Sequence, residues 1–306
     1  TDFWDGADDS GRLAPPGDYR VRGLFHEGFD VLYKFSYGNP GIPAWETADL
    51  TGAWLTDHAK PSFLTSDEKR IYLAAPLSEG GSTVIALDYD GRKLWGSGRI
   101  PGGMMVRHGR YLYMLASGFY REYPNNVPGE VRLQRLDPET GRFAPFSDGK
   151  SDHLIDKFDY NRKIKSRLTM GAAVAAKAYD AEWLQAETLG LAAVGKKLYI
   201  SMYHEGKIIE IDPEEGKKVG EFAIANPLGL AVDSQDNLLA ISGRTVVRIS
   251  AGKTITTVAA SGLSAPVGLA VDGRDNIYVS DWAEAMCVKV FSPQGKLLRV
   301  VGKEGG

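Results

Sequence analysis

The chain has 306 residues, 43% of them hydrophobic and 25% charged, with a formal net charge of −3. That is length enough for one large all-β core, and the near-balance of charge leaves no basic excess for nucleic acid or an anionic membrane. A single cysteine, Cys287, excludes an intrachain disulfide, and no apolar run approaches the ~20 residues of a membrane-spanning helix.

Residues 1–37 come first. The stretch WDGADDSGRLAPPGDYRVRG from Trp4 places a turn at Asp8-Asp9-Ser10-Gly11 and, after Pro15-Pro16-Gly17, a strand from Tyr19 to Leu24. It resembles the closing hairpin of the Ig-like domain found in flagellar hook-capping proteins and in many secreted bacterial enzymes. On that resemblance residues 1–37 are the end of such a domain, or a hairpin from Tyr19 to Tyr37 that completes the fold that follows. Residues 38–58 form a loop rich in aromatics, in which Trp45 and Trp54 flank a polar segment. Indole faces beside carboxylates suit stacking on sugar rings, and the same loop suits a plug.

From residue 59 onward the sequence repeats. LGLAAVGKKLYISMY from Leu189, LGLAVDSQDNLLAIS from Leu228 and VGLAVDGRDNIYVSD from Val267 align without gaps, and Gly190, Gly229 and Gly268 recur every 39 residues. Related copies start at Pro61 and Gly102. Each copy continues as a polar turn, a second strand, a loop, a third strand and a Gly-bearing turn, as in ALDYDGRKLW, LQRLDPETGRF, IEIDPEEGKKV and VFSPQGKLLRVV. Asp-Gly and Asp-Pro turns supply the backbone conformations that hairpins need. A unit of about 40 residues with four short strands is the size of one β-propeller blade. The expected fold is therefore an all-β propeller of four-stranded blades, five of them clear and six the expected total. Its Gly- and Ala-rich first strands are placed innermost, where blades crowd together.

Pro266 to Asp281 reads P-x-G-L-A-V-D-x-x-D-N-x-Y-V-S-D and resembles the NHL repeat of bacterial secreted propellers. That likeness implies the fold, and with it a secreted, periplasmic or cell-surface setting. ALDYDGRKLW also looks like the short repeat of pyrroloquinoline-quinone propellers, a pattern many blades share. Gly103 and Gly190 are 87 residues apart, 48 more than one repeat. Part of the excess is placed in a longer loop around Tyr120 to Pro128 and most in an insertion over 147–187, whose AAVAAKAYDAEWLQAE reads as helix and is positioned as a lid or a surface decoration. The basic run Arg162-Lys163-Ile164-Lys165-Ser166-Arg167 in it reads as solvated surface. The chain starts at Thr1 without Met and stops where another blade would begin, so a piece of a longer protein is expected.

No nucleophile elbow, phosphate loop or zinc signature occurs in the sequence. Candidate residues follow from position instead. Loops joining second to third strands, and those joining blades, open on one face. That face is expected to collect Asp57 and His58 before the first blade, His204 and Glu205 in one loop, and Asp281, Trp282 and Glu284 in another, with Asp152 and His153 in the insertion. Asp57, His58, His204 and Glu205 are the catalytic candidates; Trp45, Trp54, His153, Asp281, Trp282 and Glu284 are the ligand-binding ones. Imidazoles and carboxylates gathered there suit Ca²⁺ or Zn²⁺. Propeller lactonases, phosphotriesterases and peptidyl-hydroxyglycine lyases, which these blades distantly resemble, work with such metals. Their ligands sit on the innermost strands, where this chain has Ala, Leu, Val and Gly. Asp233, Asp236, Asp272 and Asp275 recur at repeat spacing and read as turn formers. Two functions stay open: a propeller binding a small molecule, glycan or protein, and a metal-assisted hydrolase or lyase in the same pocket.

Overall fold

The computed structural model describes residues 12–13, 15–18, 55, 61–75, 81–97, 103–117, 130–157, 188–203, 205–281 and 286–302. The chain divides into units 1–34 and 35–306, and all the strands below belong to the second. Blade one is β1 (Phe63–Ser66), β2 (Ile71–Ala74), β3 (Val84–Leu87) and β4 (Lys93–Ser97). Blade two is β5 (Met105–His108), β6 (Tyr111–Ser117), β7 (Glu130–Leu136) and β8 (Asp152–Lys157), and blade three is β9 (Thr188–Val194), β10 (Lys197–Met202), β11 (Lys207–Asp212) and β12 (Lys217–Ala223). Blade four is β13 (Pro227–Val232), β14 (Leu238–Ser242), β15 (Thr245–Ile249) and β16 (Ile255–Ala259), and blade five is β17 (Pro266–Val271), β18 (Ile277–Asp281), β19 (Cys287–Phe291) and β20 (Leu297–Val301). Each blade is a four-stranded antiparallel sheet in chain order.

Among the described residues there are five blades and no helix; the expected helix of the insertion, the loops 38–54 and 120–128 and the Tyr19–Tyr37 hairpin lie outside them. One boundary is corrected. Residues 152–157, expected inside the insertion, pair with β7 as the outermost strand of blade two. An outer strand has one free edge and tolerates charge, so Asp152, Asp156 and Lys157 disguised it.

The radial arrangement follows from how glycine is used. First strands of successive blades lie side by side, β1 by β5, β5 by β9, β9 by β13 and β13 by β17. A Cβ on Gly190 would come within 2.5 Å of the Leu228 carbonyl oxygen, and one on Gly229 within 2.7 Å of the Leu269 nitrogen. Those are backbone atoms of the next blade, so only glycine permits the approach.

Strand periodicity then fills the seams between blades. Along β14, Leu238 and Ala240 face blade three while Leu239 and Ile241 face blade five. Both faces are buried, which is why LLAI is apolar throughout rather than alternating. On the far side of blade one, Leu73, Ile85 and Leu87 are covered in part by Leu55.

The hairpin turns form as their aspartates dictate. Asp233 Oδ1 accepts from the Gln235 and Asn237 backbone N–H groups, Asp272 repeats this with Arg274 and Asn276, and Asp236 and Asp275 take φ of 59° and 61°. These four are turn formers, as the spacing implied.

Candidate functional site

One position on the third strand decides how each seam closes. Paired across from the second strand, it is Ala86 opposite Tyr72, Arg135 opposite Tyr113, Glu210 opposite Tyr199, Arg248 opposite Leu239 and Val290 opposite Tyr278. In the first four blades this side chain faces the following blade. Three seams are then bolted by a hydrogen bond to the carbonyl that follows the next blade's third strand. Trp95 Nε1 donates to Pro138 at 2.9 Å, the Tyr113 hydroxyl to Pro213 at 3.0 Å, and Arg248 Nη2 to Pro293 at 3.0 Å.

The seam between blades three and four is different. Its residue in the proline position is Ala251, and the crossing contact is an ion pair: Lys253 Nζ lies 3.2 Å from Glu210 Oε2. On the fourth strand, where blade one places Trp95 opposite Ala86, blade three places Gly220 opposite Glu210. A Cβ there would come within 2.5 Å of the Glu210 carboxylate, so the glycine makes room for the buried acid. With neither indole nor arginine to fill it, this seam holds a cleft of about 400 Å³ on the face of the hairpin turns. That size suits a small organic molecule.

The floor is Leu238 and Ile249, both 3% exposed, and half-buried Tyr199 and Phe222 make the walls. Glu210 is 4% exposed. A buried carboxylate requires compensation, and Lys197 supplies the rest of it, 3.4 Å from Oε1. Lys253 also stands 5.1 Å from the centre of the Phe222 ring, within cation–π range. Burial, and then the charge of Glu210, push the Tyr199 phenol upward, so its hydroxyl keeps its proton at neutral pH.

Lys253 is held in a left-handed backbone conformation, φ 62°. The matching turn residues of the other blades are glycines with positive φ: Gly91, Gly141, Gly216 and Gly295. A side chain in that conformation costs roughly 1–2 kcal/mol. At Gly295 a Cβ would overlap the Val258 carbonyl outright; at residue 253 the open cleft accommodates a lysine. Strain concentrated where a cavity opens is the pattern of a functional position.

On the other face, where the loops between second and third strands open, Glu205 lies in the β10–β11 turn. Its Oε2 is buried without a hydrogen-bond partner among the described residues. Asp281, at the end of β18, accepts from the backbone N–H groups of Ser264 (2.9 Å) and Ala265 (2.6 Å) and from Lys289 Nζ (2.7 Å). Burial raises its pKa, yet these donors outweigh it and hold the carboxyl below the usual range. It fastens the connection between blades four and five. His153 is not on that face. It stands near the start of β8, 3.2 Å from Asp148 and edge-on to Phe146 at 4.8 Å, at the turn-side seam of blades two and three. Glu205 stands on blade three and Asp281 on blade five, and His153 lies at the seam of blades two and three. Asp57, His58, His204, Trp45, Trp54, Trp282 and Glu284 lie outside the described residues. Among the described residues no three His, Cys, Asp or Glu side chains gather as a metal ion would require, and no helix is long and apolar enough to cross a membrane.

No protein-family model and no curated protein matches the sequence. Solved structures do match. A protein of unknown function from Bacteroides caccae superposes with TM-score 0.55 at 10% identity, over 81% of this chain and 84% of its own. A chain of the nidogen/laminin complex gives TM-score 0.52 at 14% identity, over 82% and 83%. A catalytically inactive virginiamycin B lyase from Staphylococcus aureus, solved with quinupristin, gives 0.50 at 11% identity, over 78% and 69%. The likeness is one of fold. A propeller's blades can carry many activities, so the site has to be read from its own side chains.

Sequence reasoning missed Glu210, Gly220, Lys253 and Tyr199. Two signals were present: a glutamate inside the otherwise apolar third strand of IEIDPEEG, and a lysine in SAGK where sister turns have glycine.

Proposed function

We propose that this protein is a ligand-binding β-propeller of the NHL-repeat kind, secreted or held in the cell envelope, whose binding site is the cleft between its third and fourth blades. The observation that supports this most strongly is the substitution of an open, charged seam for the bolt used at the others. Core residues of a repeat are under the same packing demand at every seam, and here that demand is relaxed in a way that costs backbone strain at Lys253. The test is a screen of chemically mixed small molecules by ligand-observed NMR against the native protein and Ala251→Trp, whose indole fills the cleft. Binders lost in the variant support the reading; a screen in which every binder survives Ala251→Trp overturns it.

Glu205 favours a second reading, a hydrolase or lyase on the loop-bearing face that uses Ca²⁺ or Zn²⁺; one of the propellers of like fold is a lyase. A carboxylate oxygen buried with no partner among the described residues is costly, and a cation would compensate it. Melting with added Ca²⁺ or Zn²⁺ and with chelator tests this, because a ligand that binds only the native state raises the melting temperature. A rise that vanishes in Glu205→Gln supports the metal; no rise removes it.

A further inference from the structure

We infer that the cleft between blades three and four takes a small carboxylic acid with a flat apolar body, an inference that rests on that cleft being a binding site. The lining carries Lys196, Lys197 and Lys253 against two carboxylates, Glu210 and Asp236; Lys197 lies at Glu210 Oε1 and Lys253 at Oε2, and one positive charge is left in excess. Each ammonium has three N–H donors; Lys253 gives Glu210 one of them, and Lys197 meets it as an ion pair. Both lysines are 43% exposed, so the remaining donors are accessible from the cleft. A second carboxylate placed between them is attracted to both, and the protonated Tyr199 hydroxyl adds a neutral donor on the same wall.

An amine is opposed at the Glu210 end of the cleft, since there it would have to displace a lysine or lie against two like charges; Asp236 is the other carboxylate of the lining. The floor and side walls of the cleft are apolar: Leu238 and Ile249 below, with the Tyr199 and Phe222 rings at the sides. An aromatic or compact aliphatic body gains from that burial, and the available volume of about 400 Å³ limits it to roughly the size of one or two fused rings. The turn conformation of Lys253 sharpens the inference. Glycine serves the fold at this position in the four other blades, so the lysine contributes its ammonium at the expense of the turn.

The test uses three probes of one shape, 1-naphthoate, 1-naphthamide and 1-naphthylmethylamine, titrated calorimetrically into the protein and into Lys253→Gly. The acid is expected to bind at least tenfold more tightly than the amide, and the amine not to bind measurably. Lys253→Gly, which relieves the strained turn, is expected to keep the melting temperature within a few degrees while weakening the acid at least tenfold. Amide or amine binding as well as the acid overturns the ligand class and leaves the cleft standing, and so does failure of all three probes where the mixed screen finds binders lost in Ala251→Trp. Undiminished acid binding in both Lys253→Gly and Ala251→Trp overturns the inference by locating the acid elsewhere.

Discussion

The seam between blades four and five and the seam between blades three and four are built from the same repeat and end differently. In the former, Arg248 bridges the buried Asp233 carboxylate (2.9 Å) and the Pro293 carbonyl of the next blade, and Leu239, Ile241, Ile277 and Phe291 pack without interruption beneath it. In the latter, the equivalent residue is Glu210, its donors are lysines from both sides, and Gly220 and Ala251 leave the space above it open. Changing the sign of one buried charge therefore reverses what must surround it. An arginine can reach a carbonyl and close a seam, whereas a carboxylate must be met by cations that have room to approach. The first strands are indifferent to this: Gly190 and Gly229 press on the next blade at both seams alike.

The strongest way to break the comparison is at those glycines. Gly229→Ala drives a methyl group into the Leu269 and Val267 backbone and is expected to cost about 3 kcal/mol or more, since backbone has no rotamer by which to yield. Gly268→Ala meets only the Ser280 side chain, with the hydroxyl at 2.8 Å; that hydroxyl can rotate away at the expense of the bond it accepts from the Gly268 N–H, and about 1–2 kcal/mol is expected. Urea denaturation of both variants measures the gap; equal costs would contradict the placement of β13 against β17.

Next in size is Arg248→Ala. It deprives a carboxylate whose side chain is 4% exposed of its cation and leaves the Pro293 carbonyl without this donor, with an expected loss of about 2–3 kcal/mol. Glu210→Gln keeps the shape but only one of the two acceptor oxygens that the lysines meet, and because both ammonium groups can turn to water, about 1–2 kcal/mol is expected. The same denaturation series decides whether the open seam is the less demanding of the two.

The smallest effect is that of pH on the turn aspartates of blades four and five. Burial raises Asp233, but bonds from Asn237, from the turn backbone and from Arg248 hold it below its ordinary value; Asp272 is lowered to about 2, chiefly by Asn276. A carboxyl with a depressed native pKa contributes stability that is complete above its unfolded value near 4 and is lost as pH falls through the native one. The melting temperature should accordingly fall between pH 4 and pH 2, and fall less in Asp272→Asn. A parallel decline in the two proteins would remove Asp272 as a source of acid sensitivity.

Much of this fold was legible because glycine spacing is imposed by backbone contact. Gly190 and Gly229, 39 residues apart, stand where the next blade's backbone leaves no room for a Cβ, and Gly268 keeps the period. Outer strands carry no such requirement, which is why Asp152–Lys157 passed for insertion. The site was less legible for a related reason. A charged residue in a strand is ordinarily read as facing solvent, but a propeller blade buries both faces, so Arg135, Glu210 and Arg248 all point into seams. Only aligning the third strands against one another, Ala86 with Arg135, Glu210, Arg248 and Val290, exposes the odd acid. His153 goes with β8 to the turn-side seam, and the three donors that hold Asp281 at the end of β18 were not foreseeable from sequence.

The account turns on the claim that the third seam is kept open for a ligand rather than by accident of packing. The double substitution Glu210→Ala with Gly220→Trp gives this seam the pair that blade one uses, Ala86 and Trp95. Thermal melting and naphthoate titration of that variant test the claim together. A melting temperature equal to or above that of the native protein, with the acid no longer bound, is the predicted result, because well-packed apolar residues often replace a buried ion pair without loss. Acid binding that persists with the seam filled would contradict it.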